Sequence, residues 1–326
     1  MLILSFLSIL GDLTLFMLGL KLISDNAAKI VGERLSNIIY KSTSNPLSAI
    51  GLGSLVTAVF QSSVATNMVL ISLVESGTVA FIGACAVVIG TNVGTTITAQ
   101  LVSLSFGQFD ITAFGSIFLF LGFLLSLSRR ERLSNFGSVA MGFGLVFVGI
   151  KLLTNEVETF YVYPWFRNIF LIENPAILLL NGFFITAICQ SSSVISTMLV
   201  ILSQAGLITL NSAIYLLLGA NIGTCIAVIV FCKNKSLVSR QVAVFNLLFN
   251  IVGVLGFILI MIFFDNQVIA LFSNVSSGRA VANFHTFFNI ISGIFVIPIL
   301  SPLARLCEWL VSPKGRANFY KFRIKN

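Results

Sequence analysis

The sequence predicts an all-α polytopic membrane protein made of inverted-topology repeats, with two re-entrant helical hairpins, discontinuous helices and about seven full crossings. Three observations carry this reading: the composition, an internal duplication, and the placement of basic residues. With 57% hydrophobic residues, 9% charged residues and 31 Phe, and a mean hydropathy of +1.03, the chain has too little polar surface to coat a soluble globule. The net charge of +8 would suggest nucleic acid in a soluble domain. Here the bases crowd short loops and the C-terminal tail, where a membrane protein uses them for orientation, so a nucleic-acid role is set aside.

Taken in order, the run Leu2 to Leu22 lacks a leading basic region and a small-residue cleavage site, and reads as a retained span over about residues 5–24. The amphipathic stretch NAAKIVGERLSNIIYK follows, held at the interface by its charges. The apolar stretch from Pro46 to Leu73 is interrupted by Gln61-Ser62-Ser63. Each side of the interruption is about 15 residues or fewer, too short to span and suited to a re-entrant hairpin. Two longer segments follow, at about 80–105 and 109–127, joined by the turn FGQFD. One unit therefore has three full crossings.

The unit is written twice. Residues 45–99 align without a gap on residues 174–228 at a constant offset of 129, matching Asn45-Pro46 with Asn174-Pro175, Gly53 with Gly182, and Gln61-Ser62-Ser63 with Gln190-Ser191-Ser192. Gly90, Asn92 and Gly94-Thr95 likewise match Gly219, Asn221 and Gly223-Thr224, and at an offset of 130 LGLKL from Leu18 faces VGIKL from Val148. Chance apolar similarity would match Leu and Val; here Gln, Asn, Ser, Gly and Pro match. An odd number of crossings inverts the second unit, giving a first repeat at 1–135, a second at 136–264, and a final span with a basic tail at 265–326.

Loop charges test the inversion independently. If the hairpins return to the side they entered from, one face receives Lys29, Arg34, Lys41, Arg129, Arg130, Arg132, Lys233, Lys235 and Arg240, with Arg305, Lys314, Arg316, Lys321, Arg323 and Lys325 of the tail. The other receives only Arg167 and Arg279, beside Glu156, Glu158, Glu173 and Asp265. Fifteen bases against two places the first face in the cytoplasm, with the N-terminus outside and the C-terminus inside.

A helix broken inside a membrane exposes unpaired carbonyls on one side of the break and unpaired N–H groups on the other, and neither can be left dry. Ser62 or Ser63 can cap the second half, Gln61 offers an amide donor and acceptor, and the helix N-terminus favours an anion. Asn45-Pro46 suits the start of the hairpin's first helix. A second break is expected at GTNVGTT (Gly90 to Thr96) and again at GANIGTC (Gly219 to Cys225), where glycines permit unwinding and Asn and Thr offer oxygens to a cation. One such motif alone would read as small-residue packing glue; duplication at matched distances argues for a site. A serine hydrolase would need a base, yet His285 is the only histidine and no acid stands beside either Ser pair. The five cysteines, Cys85, Cys189, Cys225, Cys232 and Cys307, lack CxxC spacing and read as packing residues, with no metal or disulfide framework.

The paired QSS and GxNxGT signatures inside inverted halves resemble the type II sodium/phosphate cotransporter family, including its bacterial members. The resemblance covers about residues 10–300. It implies that Gln61, Ser62, Ser63, Gln190, Ser191, Ser192 and Ser193 line a phosphate and sodium site, with Asn92, Thr95, Asn221 and Thr224 near it and sodium shared among the same residues. The family's arginine–histidine–asparagine pattern is matched by RAVANFHTFFN from Arg279 and by RQVAVFNLLFN from Arg240, where Asn246 stands in the place of His285. The first unit departs from the family in QSSV, in GTNVGT, and in lacking that pattern after Ser105, which leaves the sodium stoichiometry open. Many bacterial relatives append a soluble domain resembling a phosphate-signalling regulator. The sequence ends at Asn326 without one, so no regulation of that kind is expected from it.

Lys21 and Lys151, at matched span ends, are expected to snorkel rather than bind an anion. Glu75 is expected at a hairpin base near the cytoplasm, and His285 in a helix-packing hydrogen bond. The expected function is sodium-coupled transport of inorganic phosphate across the cytoplasmic membrane, with no enzyme activity and no cofactor beyond Na+ as coupling ion. A phosphate exporter, a carrier of a related oxyanion and a non-transporting anion receptor stay open as alternatives, as does a homo-oligomer. The topology is tested by accessibility: a single cysteine near Glu158 should label from outside and one near Lys235 from the cytoplasm, and labelling of both from one side would refute inversion.

Overall fold

The computed structural model describes residues 2–32, 34–106, 111–172 and 174–311. The FGQFD turn from Gly107 onward, Glu173 and the basic tail from Ser312 onward lie outside the described residues. Among the described residues the chain is helical throughout its regular structure: α1 (Leu2–Val31), α2 (Arg34–Ser42), α3 (Pro46–Phe60), α4 (Ser63–Glu75), α5 (Phe81–Leu104), α6 (Ile111–Ser126), α7 (Glu131–Tyr161), α8 (Pro164–Leu171), α9 (Pro175–Cys189), α10 (Ser192–Gln204), α11 (Leu210–Phe231), α12 (Leu237–Ala270), α13 (Ser277–Val296) and α14 (Leu300–Val311).

The expected hairpins are α3–α4 and α9–α10. Both open in the same way: Asn45 Oδ1 accepts from the Leu47 N–H at 2.9 Å, and Asn174 Oδ1 from the Ala176 N–H at 2.9 Å, each followed by proline in the first turn. Both close at a glycine with φ of 75° at Gly77 and 71° at Gly206, a backbone conformation that a side chain would strain. Among the described residues six helices are long and apolar enough to cross a membrane. Six of the seven expected crossings correspond to them; the seventh is α6, whose 16 residues extend about 24 Å, short of a bilayer core of about 30 Å.

Two of the long helices form the centre. The most apolar windows of α5 and α11 are 72% and 67% buried, against 28–44% for the other four, so the repeat-related pair carries the core and the rest surround it. Glycines bring the hairpins onto this pair. A Cβ on Gly53, Gly90 or Gly94 would run into the carbonyls of Val87, Ile50 and Ser54, and one on Gly182, Gly219 or Gly223 into those of Leu216, Leu179 and Phe183. Backbone therefore rests on backbone where α3 meets α5 and where α9 meets α11. This corrects the second break expected at GTNVGTT and GANIGTC: α5 and α11 run through both segments as unbroken helix. The glycines serve close approach instead of unwinding, and the continuing helix keeps its own backbone groups paired.

Surrounding helices use the same device. Gly19 of α1 and its repeat mate Gly149 of α7 each press on the other helix, at the Gly142 carbonyl and at Phe16 respectively. Gly122 of α6 and Gly137 and Gly144 of α7 seat α6 on α7. The stretch expected to lie at the interface is divided, its first part continuing α1 to Val31 and its second forming α2.

The hairpin ends tie down the N-termini of α12 and α13 at repeat-matched positions. Glu75 Oε1 accepts from the Ser236 N–H at 3.3 Å and Gln204 Oε1 from the Gly278 N–H at 3.2 Å. Glu75 also pairs with Lys235 at 2.9 Å, and that hydrogen-bonded ammonium holds its carboxyl below the ordinary carboxylate range. Two further expectations are corrected. The stretch around Arg305, expected to be tail, is instead α14, which buries Leu300, Leu303, Ala304 and Cys307 on one face against α12 and α5; that i, i+3, i+4, i+7 spacing makes an apolar stripe. His285 is buried, yet neither ring nitrogen meets a protein partner, so the expected packing hydrogen bond is not made.

Gly90→Ala or Gly219→Ala should force α3 from α5 or α9 from α11 and cost about 1–3 kcal/mol. Gly51→Ala, whose Cβ would meet nothing within 4 Å, should not. Thermal unfolding of the purified variants in detergent checks this; equal stability of all three would refute the packing account.

Candidate functional site

Each hairpin turns on a glutamine in the left-handed region. Gln61 has φ 52° and ψ 24°, and Gln190 φ 54° and ψ 23°; they are the only non-glycine residues with positive φ among the described residues. The conformation costs an L-residue roughly 1–2 kcal/mol, so its recurrence in both copies marks a site where strain is maintained. Ser62 and Ser191 then follow in nearly the same extended conformation as N-caps of α4 and α10.

The two breaks differ in how their polar groups are used. Ser62 Oγ accepts from the Ala65 N–H at 3.1 Å, fulfilling the expected cap. Ser191 makes no such bond, so its hydroxyl and the first N–H groups of α10 are not committed to each other. Gln61 is 5% exposed; its amide donates to the Ala58 carbonyl, covering an orphan at the end of α3. Gln190 is exposed. Ser63, Ser192 and Ser193 are buried, while Ser62 and Ser191 are half-buried.

Thr98 on α5 joins the breaks. Its hydroxyl donates to Gln61 Oε1 at 2.8 Å and lies 3.3 Å from Ser193 Oγ. One side chain thus bridges the first Gln-Ser-Ser motif to the second. The bridge has no counterpart across the repeat: Thr98 aligns with Ala227, and Ser193 with Val64. The face of α5 that carries Thr98 also carries Thr91 and Thr95, and Thr91 donates to Asn67 Oδ1 of α4 at 3.3 Å.

Asn92, Thr95, Asn221 and Thr224 occupy intact helix and share one habit. Each donates to a carbonyl four residues back, at Val88, Thr91, Leu217 and Ala220, over 2.8 to 3.0 Å. The threonines thereby spend their single donors and each asparagine one of its two, and all four keep oxygen lone pairs, the valence a hard cation uses. Asn92 also reaches Asn246 Oδ1 of α12 at 3.4 Å. One turn before each glutamine, Thr57 and Thr186 are fully buried with unpartnered hydroxyls. Among the described residues no group of three His, Cys, Asp or Glu side chains could hold a metal ion. Lys21 and Lys151 are exposed on α1 and α7 and make no ion pair among the described residues.

Gln61, Ser193 and Thr98 are therefore brought together, Asn92 meets α12, and Gln190 stands apart. Reading the sequence for identities between the copies misses Thr98 and Asn67, because their repeat mates, Ala227 and Ser196, are different residues. The Thr91, Thr95, Thr98 spacing, one hydroxyl per turn on one face of α5, is the signal that would have found the bridge.

A family model described as Na+/Pi-cotransporter matches residues 15–155 and 166–292. A protein of Escherichia coli K12 named "Putative inorganic phosphate export protein YjbB" is 28% identical over 313 residues, 94% of this chain and 56% of its own length. YqeW of Bacillus subtilis is 26% identical over 304 residues, 92% of this chain and 96% of its own. The sodium-dependent phosphate transport protein 2A of Rattus norvegicus is 34% identical over 98 residues, 29% of this chain and 15% of its own. The chain spans about half the length of the curated relatives it matches over most of its residues, YqeW excepted. No solved structure matches it significantly.

Thr98→Val keeps the shape and removes the bridging hydroxyl, leaving Gln61 Oε1 buried without its donor. It should cost about 1–3 kcal/mol in thermal unfolding, with Thr98→Ser restoring most of the loss. A Val variant as stable as the parent would show that the bridge is not formed.

Proposed function

The chain belongs to the Na+/Pi-cotransporter family, and we propose that it is a sodium-coupled secondary active transporter of inorganic phosphate in the cytoplasmic membrane. The observation that carries the reading is the pair of matched left-handed breaks, at Gln61 and Gln190, with the Gln61 amide oxygen of one motif and the Ser193 hydroxyl of the other both drawn to Thr98. A phosphate carries about −1.5 to −2, and two helix N-termini supply roughly +0.5 each. About one negative charge is left over in a low-dielectric site, and none of the motif residues is a cation. Bound sodium removes that excess, with the lone pairs of Asn92, Thr95, Asn221 and Thr224 as its nearest neutral ligands. Ser62, Ser63, Ser191, Ser192 and Ser193 would hold the phosphate oxygens through hydroxyls and first-turn N–H groups, with the amides of Gln61 and Gln190 beside them.

Export is a second reading, favoured by the name of the Escherichia coli relative. A carrier runs in whichever direction its gradients set, so the same site serves both. Purified protein in liposomes should accumulate radiolabelled phosphate only with an inward sodium gradient, and efflux from preloaded cells separates export from import. By linkage, sodium should raise phosphate affinity by the same factor that phosphate raises sodium affinity. Ser62→Ala and Ser191→Ala should each weaken phosphate binding about fivefold to a hundredfold, measured by calorimetry, while Ser126→Ala on α6 should not. Phosphate binding and uptake indifferent to sodium across a wide range would refute the coupling.

A further inference from the structure

A cavity of about 390 Å³ lies at the end of the molecule where α11 passes into α12, lined by Ile229, Val230, Cys232, Lys233, Arg240, Ala243, Val244 and Val311. It belongs to neither break. Its wall is apolar and comes from three helices, α11, α12 and the end of α14, and two cations stand on it. The connection from Lys233 to Arg240 carries three bases, of which Lys235 is paired with Glu75. Lys233 and Arg240 have no acidic partner among the described residues. Beside the cavity, Val230 is 62% exposed, and Leu237 and Val238 are also exposed, so the apolar wall continues onto a surface that in a membrane faces acyl chains.

An occupant must therefore be anionic at one end and apolar along the rest. Free phosphate answers only the cations and leaves the valine and isoleucine wall unmatched. The sequence from Lys314 to Lys325 adds five bases of the same sign as Lys233 and Arg240. Basic pockets between membrane helices are suited to phospholipid headgroups, each cation contributing Coulomb attraction and the walls holding the chain. We propose that this cavity is a binding site for one anionic phospholipid, whose headgroup phosphate meets Lys233 and Arg240 and whose acyl chain lies along Val230, Val244 and Val311. The proposal does not depend on the transport reading.

The test uses the full chain in detergent, titrated with phosphatidylglycerol or phosphatidylcholine and read by native mass spectrometry. The first phosphatidylglycerol should bind in preference to phosphatidylcholine. Lys233→Ala or Arg240→Ala should each weaken it about fivefold, and the pair by about tenfold or more. Arg129→Ala with Arg130→Ala and Arg132→Ala, on a loop facing the same side but away from the cavity, should not. Inorganic phosphate in tenfold excess should leave the adduct in place; displacement would mean that the ligand is phosphate alone and would overturn the lipid. Equal loss in the loop variant would reduce the effect to general charge attraction and likewise overturn it. Should the double variant fail to fold, phosphatidylglycerol with a photoreactive acyl chain, applied to the parent protein, should cross-link at Val230, Val244 or Val311. Cross-links only elsewhere would overturn the proposal.

Discussion

The contact on which the rest of the structure depends is backbone against backbone, α3 on α5 and α9 on α11. With glycine at the crossing points, no side chain intervenes, and the spacing between each hairpin and its central helix is set by main-chain atoms alone. That fixes where the first helix of each hairpin ends, and so where its left-handed glutamine sits. Gln61 reaches Thr98 because α3 cannot stand farther off. A larger residue at Gly90 or Gly94 would change the site without touching it.

The breaks are also built without charge. Their polar atoms are hydroxyls, amides and main-chain groups, and the ion pair Glu75–Lys235 stands at the end of a hairpin, away from the breaks. Burying an unpaired carboxylate or ammonium in such a place costs far more than burying a neutral dipole that has a partner. On the proposed function, a neutral cradle of this kind needs its ligands to balance one another. The same logic separates hairpin tips from hairpin ends: strain and unspent hydrogen-bonding capacity lie at the tips, while ionic and capping contacts anchor α12 and α13 at the ends.

Much of this was legible in the residues. Asn-Pro starts, Gln-Ser-Ser interruptions and the 129-residue offset located both hairpins, because caps, prolines and polar residues in apolar runs have local causes. The glycines of GTNVGTT and GANIGTC were misread as places to unwind. Glycine in a membrane helix permits either a bend or a neighbour's close approach, and the choice is made by α3 and α9, which the local sequence does not contain. The bridging hydroxyl escaped for a related reason. Repetition reveals what two halves share, and Thr98 is a position where they differ. Part of α14 reads as tail because Arg305 runs on into the five bases from Lys314 to Lys325, which outweigh the apolar stripe at Leu300, Leu303, Ala304 and Cys307.

That difference reaches beyond a single hydrogen bond. If the two halves were identical, exchanging their conformations would turn the molecule into its own image seen from the opposite side of the membrane, and the two images would be equally populated. In this chain the image is imperfect. The bridge Gln61–Thr98–Ser193 would become Gln190, Ala227 and Val64, a trio in which nothing can pair with the amide. Bonds of this kind are worth about 0.5–1.5 kcal/mol each, a bias of roughly twofold to tenfold in population. On the proposed transport reading, the two residue differences at Thr98 and Ser193 are enough to give the molecule a resting posture, in which one glutamine is locked and the other stands in the open.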